Sequence, residues 1–355
     1  MPMVESDERA DRGEAAGLIA AYEREMGKRL VGRLDFIRGI LAGVVAGGHV
    51  LLEGVPGLAK TLAVRSFADV AGLSFSRIQF TPDLLPADIT GALAWEQATG
   101  KFIPRKGPIF ANVILADELN RAPAKVQSAL LEAMEEGQVT MGDTSHRLPE
   151  PFFVLATQNP IEHEGTWPLP EAELDRFSMK LVAGYPGAEE EERIVKTSGE
   201  ARKVPVQKVL DAGSIAQLRR AAESLRCDEA ILGYVVRLVR ASRPGAEQGG
   251  TTAGSGTTAG GGTTAGGASG IGSALAKDIG HYVEFGASPR ASIQLYRLAR
   301  IEALFSGRDH VLPEDVKALA RPVLRHRLVL GYHAEADGVT ADAVIARLLQ
   351  GVALP

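Results

Sequence analysis

Cysteine is almost missing from this chain: Cys227 stands alone among 355 residues. A lone thiol excludes an intrachain disulfide and a cysteine-based zinc cluster. A surplus of positive charge is missing too, since 39 Lys and Arg face 44 Asp and Glu for a net charge of −5. Binding to a phosphate backbone draws on such a surplus, so stable nucleic-acid binding is not expected. No uninterrupted apolar run reaches the length that crosses a bilayer. The opening stretch Met1 to Arg12 is polar and acidic, without the apolar centre of a signal peptide. The expected compartment is the cytoplasm, and no membrane span is expected. What remains is an ordinary soluble composition, 45% hydrophobic and 23% charged, in a chain long enough for two domains with separate cores.

The stretch Gly54-Val55-Pro56-Gly57-Leu58-Ala59-Lys60-Thr61 organises the rest. It follows the apolar run His49-Val50-Leu51-Leu52-Glu53, which reads as a short buried strand, and it opens a helical stretch from Thr61 to Ala71. Strand, glycine-rich turn and helix form the context in which backbone N–H groups turn inward around a phosphate chain, with the positive helix end behind them. In such a loop Lys60 reaches the β and γ phosphates and the Thr61 hydroxyl is a ligand for Mg²⁺. The usual pattern ends Gly-Lys-Thr, whereas Ala59 precedes Lys60 here. A methyl group fits that position where the backbone angles suit an L-residue.

Asn112-Val113-Ile114-Leu115-Ala116-Asp117-Glu118 reads as a buried strand with two carboxylates at its carboxyl end, where open α/β sheets place their ligands. There Asp117 can hold Mg²⁺ through water and Glu118 can polarise a water for attack on the γ phosphate. Phe152 to Thr157 is another buried strand and ends in Gln158-Asn159-Pro160, so that Asn159 can orient the same water. Ser74 to Phe80 and Ser178 to Val182 complete a strand set. Between these, Thr81 to Gly91 is too rich in proline for a core element, and Ala92 to Arg105 alternates like a hairpin. Its Trp95, Phe102 and Ile103 are either core or a surface for a partner. Pro123 to Glu136 is an amphipathic helix ending at Gly137, and a second small hairpin spans Val139 to Leu148. Arg176, just before the last strand, can neutralise charge that builds in phosphoryl transfer, or form a surface ion pair.

From Tyr185-Pro186-Gly187 onward helices replace strands, which indicates a second, all-helical domain. The division expected is a helical extension over 1–28, an α/β core over 29–184 and a helical domain over 185–355. The last is interrupted at 249–272 by a Thr-Thr-Ala-Gly repeat with almost no large apolar residue, which reads as a flexible inserted loop. Beyond it, Ser288 and Pro289 open a helix with Arg290 in its first turn. A cation there opposes the helix dipole, and a γ phosphate would be a reason for it.

In order along the chain, the phosphate loop, Phe80-Thr81-Pro82-Asp83-Leu84-Leu85-Pro86, Leu115-Ala116-Asp117-Glu118, Ala156-Thr157-Gln158-Asn159-Pro160, Leu174-Asp175-Arg176-Phe177 and Gly286-Ala287-Ser288-Pro289-Arg290 resemble the MoxR family of AAA+ ATPases. The resemblance implies a parallel P-loop sheet flanked by helices and followed by a smaller helical lid. It implies that Gly54, Val55, Pro56, Gly57, Leu58, Ala59, Lys60, Thr61 and Leu62 bind ATP, with Mg²⁺ on Thr61 and Asp117. It further implies Glu118 as catalytic carboxylate, Asn159 as first sensor, Arg176 as an arginine finger reaching a neighbour's nucleotide, and Arg290 as second sensor. The implied assembly is a homo-oligomer, a hexameric ring, acting on a protein client with a von Willebrand factor A-domain partner. The implied role is remodelling, maturation or metal insertion. A nucleotide-gated scaffold and a magnesium-chelatase-like motor subunit are the other readings of these residues.

Overall fold

The computed structural model describes residues 2–30, 32–54, 60–159, 166–185, 187–197, 200–245 and 273–355. Val55, Pro56, Gly57, Leu58 and Ala59 of the phosphate loop and the repeat segment 249–272 lie outside the described residues. By its contacts the chain divides into two compact units, Met1–Arg226 with Arg300–His310, and Cys227–Ala299 with Val311–Pro355.

The first unit runs α1 (Pro2–Gly27), α2 (Leu34–Val45), β1 (Val50–Gly54), α3 (Lys60–Ala71), β2 (Phe75–Gln79), α4 (Pro86–Thr90), β3 (Gly91–Glu96), β4 (Lys101–Lys106), β5 (Val113–Asp117), α5 (Ala124–Glu136), β6 (Gln138–Met141), β7 (Thr144–Arg147), β8 (Phe153–Gln158), α6 (Glu171–Leu174), β9 (Met179–Ala183), α7 (Ala188–Thr197) and α8 (Ala212–Ser224). Five strands form one sheet in the order β2-β5-β8-β1-β9, every pair parallel. The central strands β1, β5 and β8 are buried on both faces, which is why they read as unbroken apolar runs. Leu51, Ile78, Ile114, Ala116, Val154 and Ala156 face a cluster with Leu130 and Leu131 of α5 and Ile89 of α4. On the other face the Phe153 ring meets Phe67 of α3 edge-on at 6.1 Å, and Phe67 meets Tyr22 of α1 at 6.1 Å. The Tyr22 hydroxyl donates to the Ile37 carbonyl at 2.9 Å, so α1 is tied to α2 as well. Because all strands run the same way, the carboxyl ends of β1, β5 and β8 share one edge.

His49 joins elements at the opposite edge. Its Nε2 donates to the Met134 carbonyl at 3.0 Å, and its Nδ1 accepts from the Val154 N–H at 3.1 Å, an arrangement open only to the neutral ring. Burial pushes its pKa from 6.5 down to about 4, against the pull of the Met134 carbonyl. The unfolded chain therefore takes up the proton first. The stabilisation is complete above pH 6.5 and is lost as pH falls through 4, by about 3 kcal/mol in all. Urea unfolding of the native chain and of His49→Asn across this range should show the native chain losing that much more stability on acidification. Parallel curves would remove His49 from the account.

One local element differs from expectation, and a second decides between two alternatives. The proline-rich stretch contains α4, because Pro86 occupies the first helical turn and the Asp88 carboxylate accepts from the Leu85 N–H at 2.8 Å. The hairpin β3–β4 is present as expected, and its aromatic residues are surface, not core: Trp95 is 56% and Phe102 64% exposed.

The second unit contains α9 (Glu229–Ala241), α10 (Ser273–Tyr282), β10 (Val283–Phe285), α11 (Pro289–Phe305), α12 (Pro313–Leu324), β11 (Val329–Leu330), α13 (Tyr332–Ala336) and α14 (Ala341–Gly351), with the division falling within α11. It departs from the all-helical expectation at one point, an antiparallel pairing of β10 with β11 that sets Val283 opposite Leu330. Among the described residues no helix is long and apolar enough to cross a membrane.

Candidate functional site

The carboxyl edge of the sheet gathers side chains that are far apart in sequence. Gly54 ends β1 where a Cβ would lie 2.9 Å from both the Cβ and the carbonyl oxygen of Ala183, so only glycine lets β1 and β9 approach this closely. Lys60 opens α3, followed by Thr61 and Leu62, all three half-buried. The Lys60 ammonium donates to the Gly54 carbonyl. Burial lowers its pKa, while the carboxylates of Asp117, Glu118 and Glu53 act in the opposite direction, so the ammonium sits within their combined field. Glu53 is itself paired with Lys180 of β9 at 2.5 Å.

Asp117 is held on both carboxylate oxygens. Oδ1 accepts from the Thr157 hydroxyl at 2.7 Å, and Oδ2 accepts from Arg77 Nη2 at 2.7 Å and Nε at 3.1 Å. Glu118 leaves the strand in a left-handed conformation, φ 59° and ψ 48°, and is the only non-glycine with positive φ among the described residues. Such a residue costs roughly 1–2 kcal/mol and persists only where its surroundings fix it, commonly at functional sites. Its N–H donates to the Thr157 hydroxyl at 2.9 Å. Its carboxylate accepts from Gln79 at 2.7 Å and from Arg121 at 3.0 Å. Arg77 and Gln79 had no signal in the sequence beyond ordinary strand positions, and Thr157 stood there only as a member of the Ala156 to Pro160 motif with no role of its own; parallel pairing of β2, β5 and β8 brings them here.

Asn159 is buried just past the end of β8, on the same edge. Arg176 is elsewhere. Two residues on, the Ser178 N–H and hydroxyl donate to the His49 carbonyl at 2.8 and 2.7 Å, which fixes this segment at the amino end of β1. The four residue steps from Val50 to Gly54 span about 13 Å, so Arg176 lies toward the opposite edge from Gly54, Asp117 and Glu118. There its Nη2 is 3.3 Å from Glu135 Oε2. Arg290 belongs to the second unit, where its N–H donates to the Ser288 hydroxyl at 3.1 Å, the cap expected for α11.

Residues 49–179 match the ATPase family associated with various cellular activities (AAA), and residues 275–348 match the AAA lid domain. Chaperone MoxR1 of Mycobacterium tuberculosis is 46% identical over 352 residues, 98% of this chain and 86% of that protein. This chain belongs to the MoxR family of AAA+ ATPases. Protein MoxR of Methylorubrum extorquens is 32% identical over 88% of the chain and 87% of its own length. The crystal structure of a protein from Cytophaga hutchinsonii assigned as an ATPase superposes with a TM-score of 0.85 at 42% identity, covering 99% of each chain.

The donor set of this MoxR-family chain fits magnesium bound with a triphosphate. Among the described residues no group of three or more His, Cys, Asp or Glu could cage a metal. Thr61 and Asp117 offer two hard oxygens, which is what Mg²⁺ takes from a protein when water and phosphate complete its shell.

Proposed function

We propose that this chain binds and hydrolyses ATP as a ring of six subunits, in the cytoplasm, and uses the cycle to remodel, mature or insert metal into a client protein complex. A von Willebrand factor A-domain protein is the proposed partner. The observation that carries the reading is the meeting of Lys60, Asp117 and Glu118 at the carboxyl edge of one parallel sheet.

In this reading residues 54–62 surround the phosphates and Lys60 neutralises their charge. Mg²⁺ on Thr61 and, through water, on Asp117 would supply further positive charge against the phosphoryl oxygens. Glu118 accepts the proton of the attacking water, and Asn159 holds that water in line. Arg176 of the next subunit faces the charge that develops on the transferred group. Its own-chain position toward the far edge supports that role, because it leaves Arg176 no access to the nucleotide of its own subunit. Arg290, as second sensor, reports the γ phosphate to the lid.

The test is ATPase rate against protein concentration, with mass from light scattering on the same samples. Specific activity should rise as the ring forms. Flat activity from a monomer would remove Arg176 from the mechanism, and a ring that binds ATP without turnover would replace the motor by a scaffold.

A further inference from the structure

The Thr157 hydroxyl is hydrogen-bonded to both residues of the acidic pair. It is buried, 1% exposed, on β8 beside β5. Its direction is settled by its partners, since the Asp117 carboxylate can only accept and the Glu118 N–H can only donate. The strand ladder between β5 and β8 ends at Ala116 opposite Ala156. Beyond it, Glu118 turns left-handed, and its N–H finds an acceptor in a side chain instead of a strand. One hydroxyl thus takes over where backbone pairing stops. It orients the carboxylate at 117 and satisfies the strained backbone at 118, and that backbone decides where the Glu118 side chain points.

We propose that Thr157 is a positioning residue for ATP hydrolysis, which sets the geometry of Asp117 and Glu118 through these two hydrogen bonds without touching the nucleotide. The proposal rests on the hydrolysis reading above. Thr157→Val keeps the shape and removes the hydroxyl, whereas Thr157→Ser keeps the hydroxyl. Supporting groups of this kind typically carry 10–100-fold, and a displacement near 1 Å costs on the order of 100-fold in rate.

The experiment measures kcat and KM for ATP, the melting temperature, and hydrogen exchange at the Glu118 amide. For Thr157→Val, kcat should fall by about 10–100-fold with KM changed less than about 3-fold, and the Glu118 amide should exchange faster. Thr157→Ser should restore both. A folded Thr157→Val chain with native kcat overturns the proposal, as does a Thr157→Ser chain as slow as Thr157→Val. Should Thr157→Val fail to fold, the native chain still decides: a Glu118 amide that exchanges as fast as an open loop overturns it, and a protected one supports it. Glu118→Gln run in parallel separates the two levels, because native turnover by that variant would refute the hydrolysis reading itself.

Discussion

Exchanging Glu118 for glutamine should lower steady-state ATP turnover by ~10²–10⁴-fold, the range carried by a positioned general base, while ATP remains bound. The side chain keeps its size, and its amide oxygen can still accept from Gln79, which holds the carboxylate at 2.7 Å in the native chain. What it loses is the ability to take a proton from water. The strained backbone at φ 59° is as acceptable for glutamine as for glutamate, so stability should change little. Binding of a fluorescent ATP analogue and phosphate release, measured together, check both halves. Lys60→Ala is the matching control, since removing the ammonium that donates to the Gly54 carbonyl within the field of the acidic pair should abolish binding altogether. Undiminished hydrolysis by Glu118→Gln would mean that the attacking water is activated elsewhere.

Arg176→Ala should cost more, on the order of 10³–10⁵-fold in kcat, the contribution of an arginine facing the transferred phosphoryl group. Loss of fold would not account for such a drop. Arg176 and its partner Glu135 are 31% and 39% exposed at 3.3 Å, and exposed pairs of this kind contribute roughly 0.2–1 kcal/mol. The decisive measurement is mixing. A Lys60→Ala subunit binds no nucleotide but carries an intact Arg176; an Arg176→Ala subunit binds nucleotide but lacks the arginine. Mixed assemblies should recover part of the activity that each lacks alone. Two dead variants that stay dead on mixing would show that Arg176 does not act across subunits.

The sheet was legible in the sequence because its central strands are buried on both faces, which forces runs such as Val113 to Ala116 and Phe153 to Ala156. The acidic pair was legible because Asp117 and Glu118 end such a run. Spacing could not reveal the hydroxyl of Thr157 or the guanidinium of Arg77 on Asp117, since these depend on which strand lies beside β5. The alternation in β3 and β4 announced a hairpin without telling whether Trp95 and Phe102 would be covered. Val329 and Leu330 are too short a pair to show a period, so the small β10–β11 pairing was hidden among helices. The short helix α4 was masked by prolines that normally end helices and here begin one.

Arg176 and the acidic pair lie toward opposite edges of one sheet, and this has a consequence for symmetry. On the reading above, each subunit presents a donor surface at one end and an acceptor surface at the other. A two-fold dimer joins the two ends only where both lie on one self-complementary surface, and it then stops at two sites. Head-to-tail stacking, the arrangement of the proposed ring, joins unlike ends in every copy, and it either closes after a fixed number of copies or grows without limit. The rotation per subunit thereby becomes a property under functional constraint, because a small error in it would exchange a closed ring for a filament.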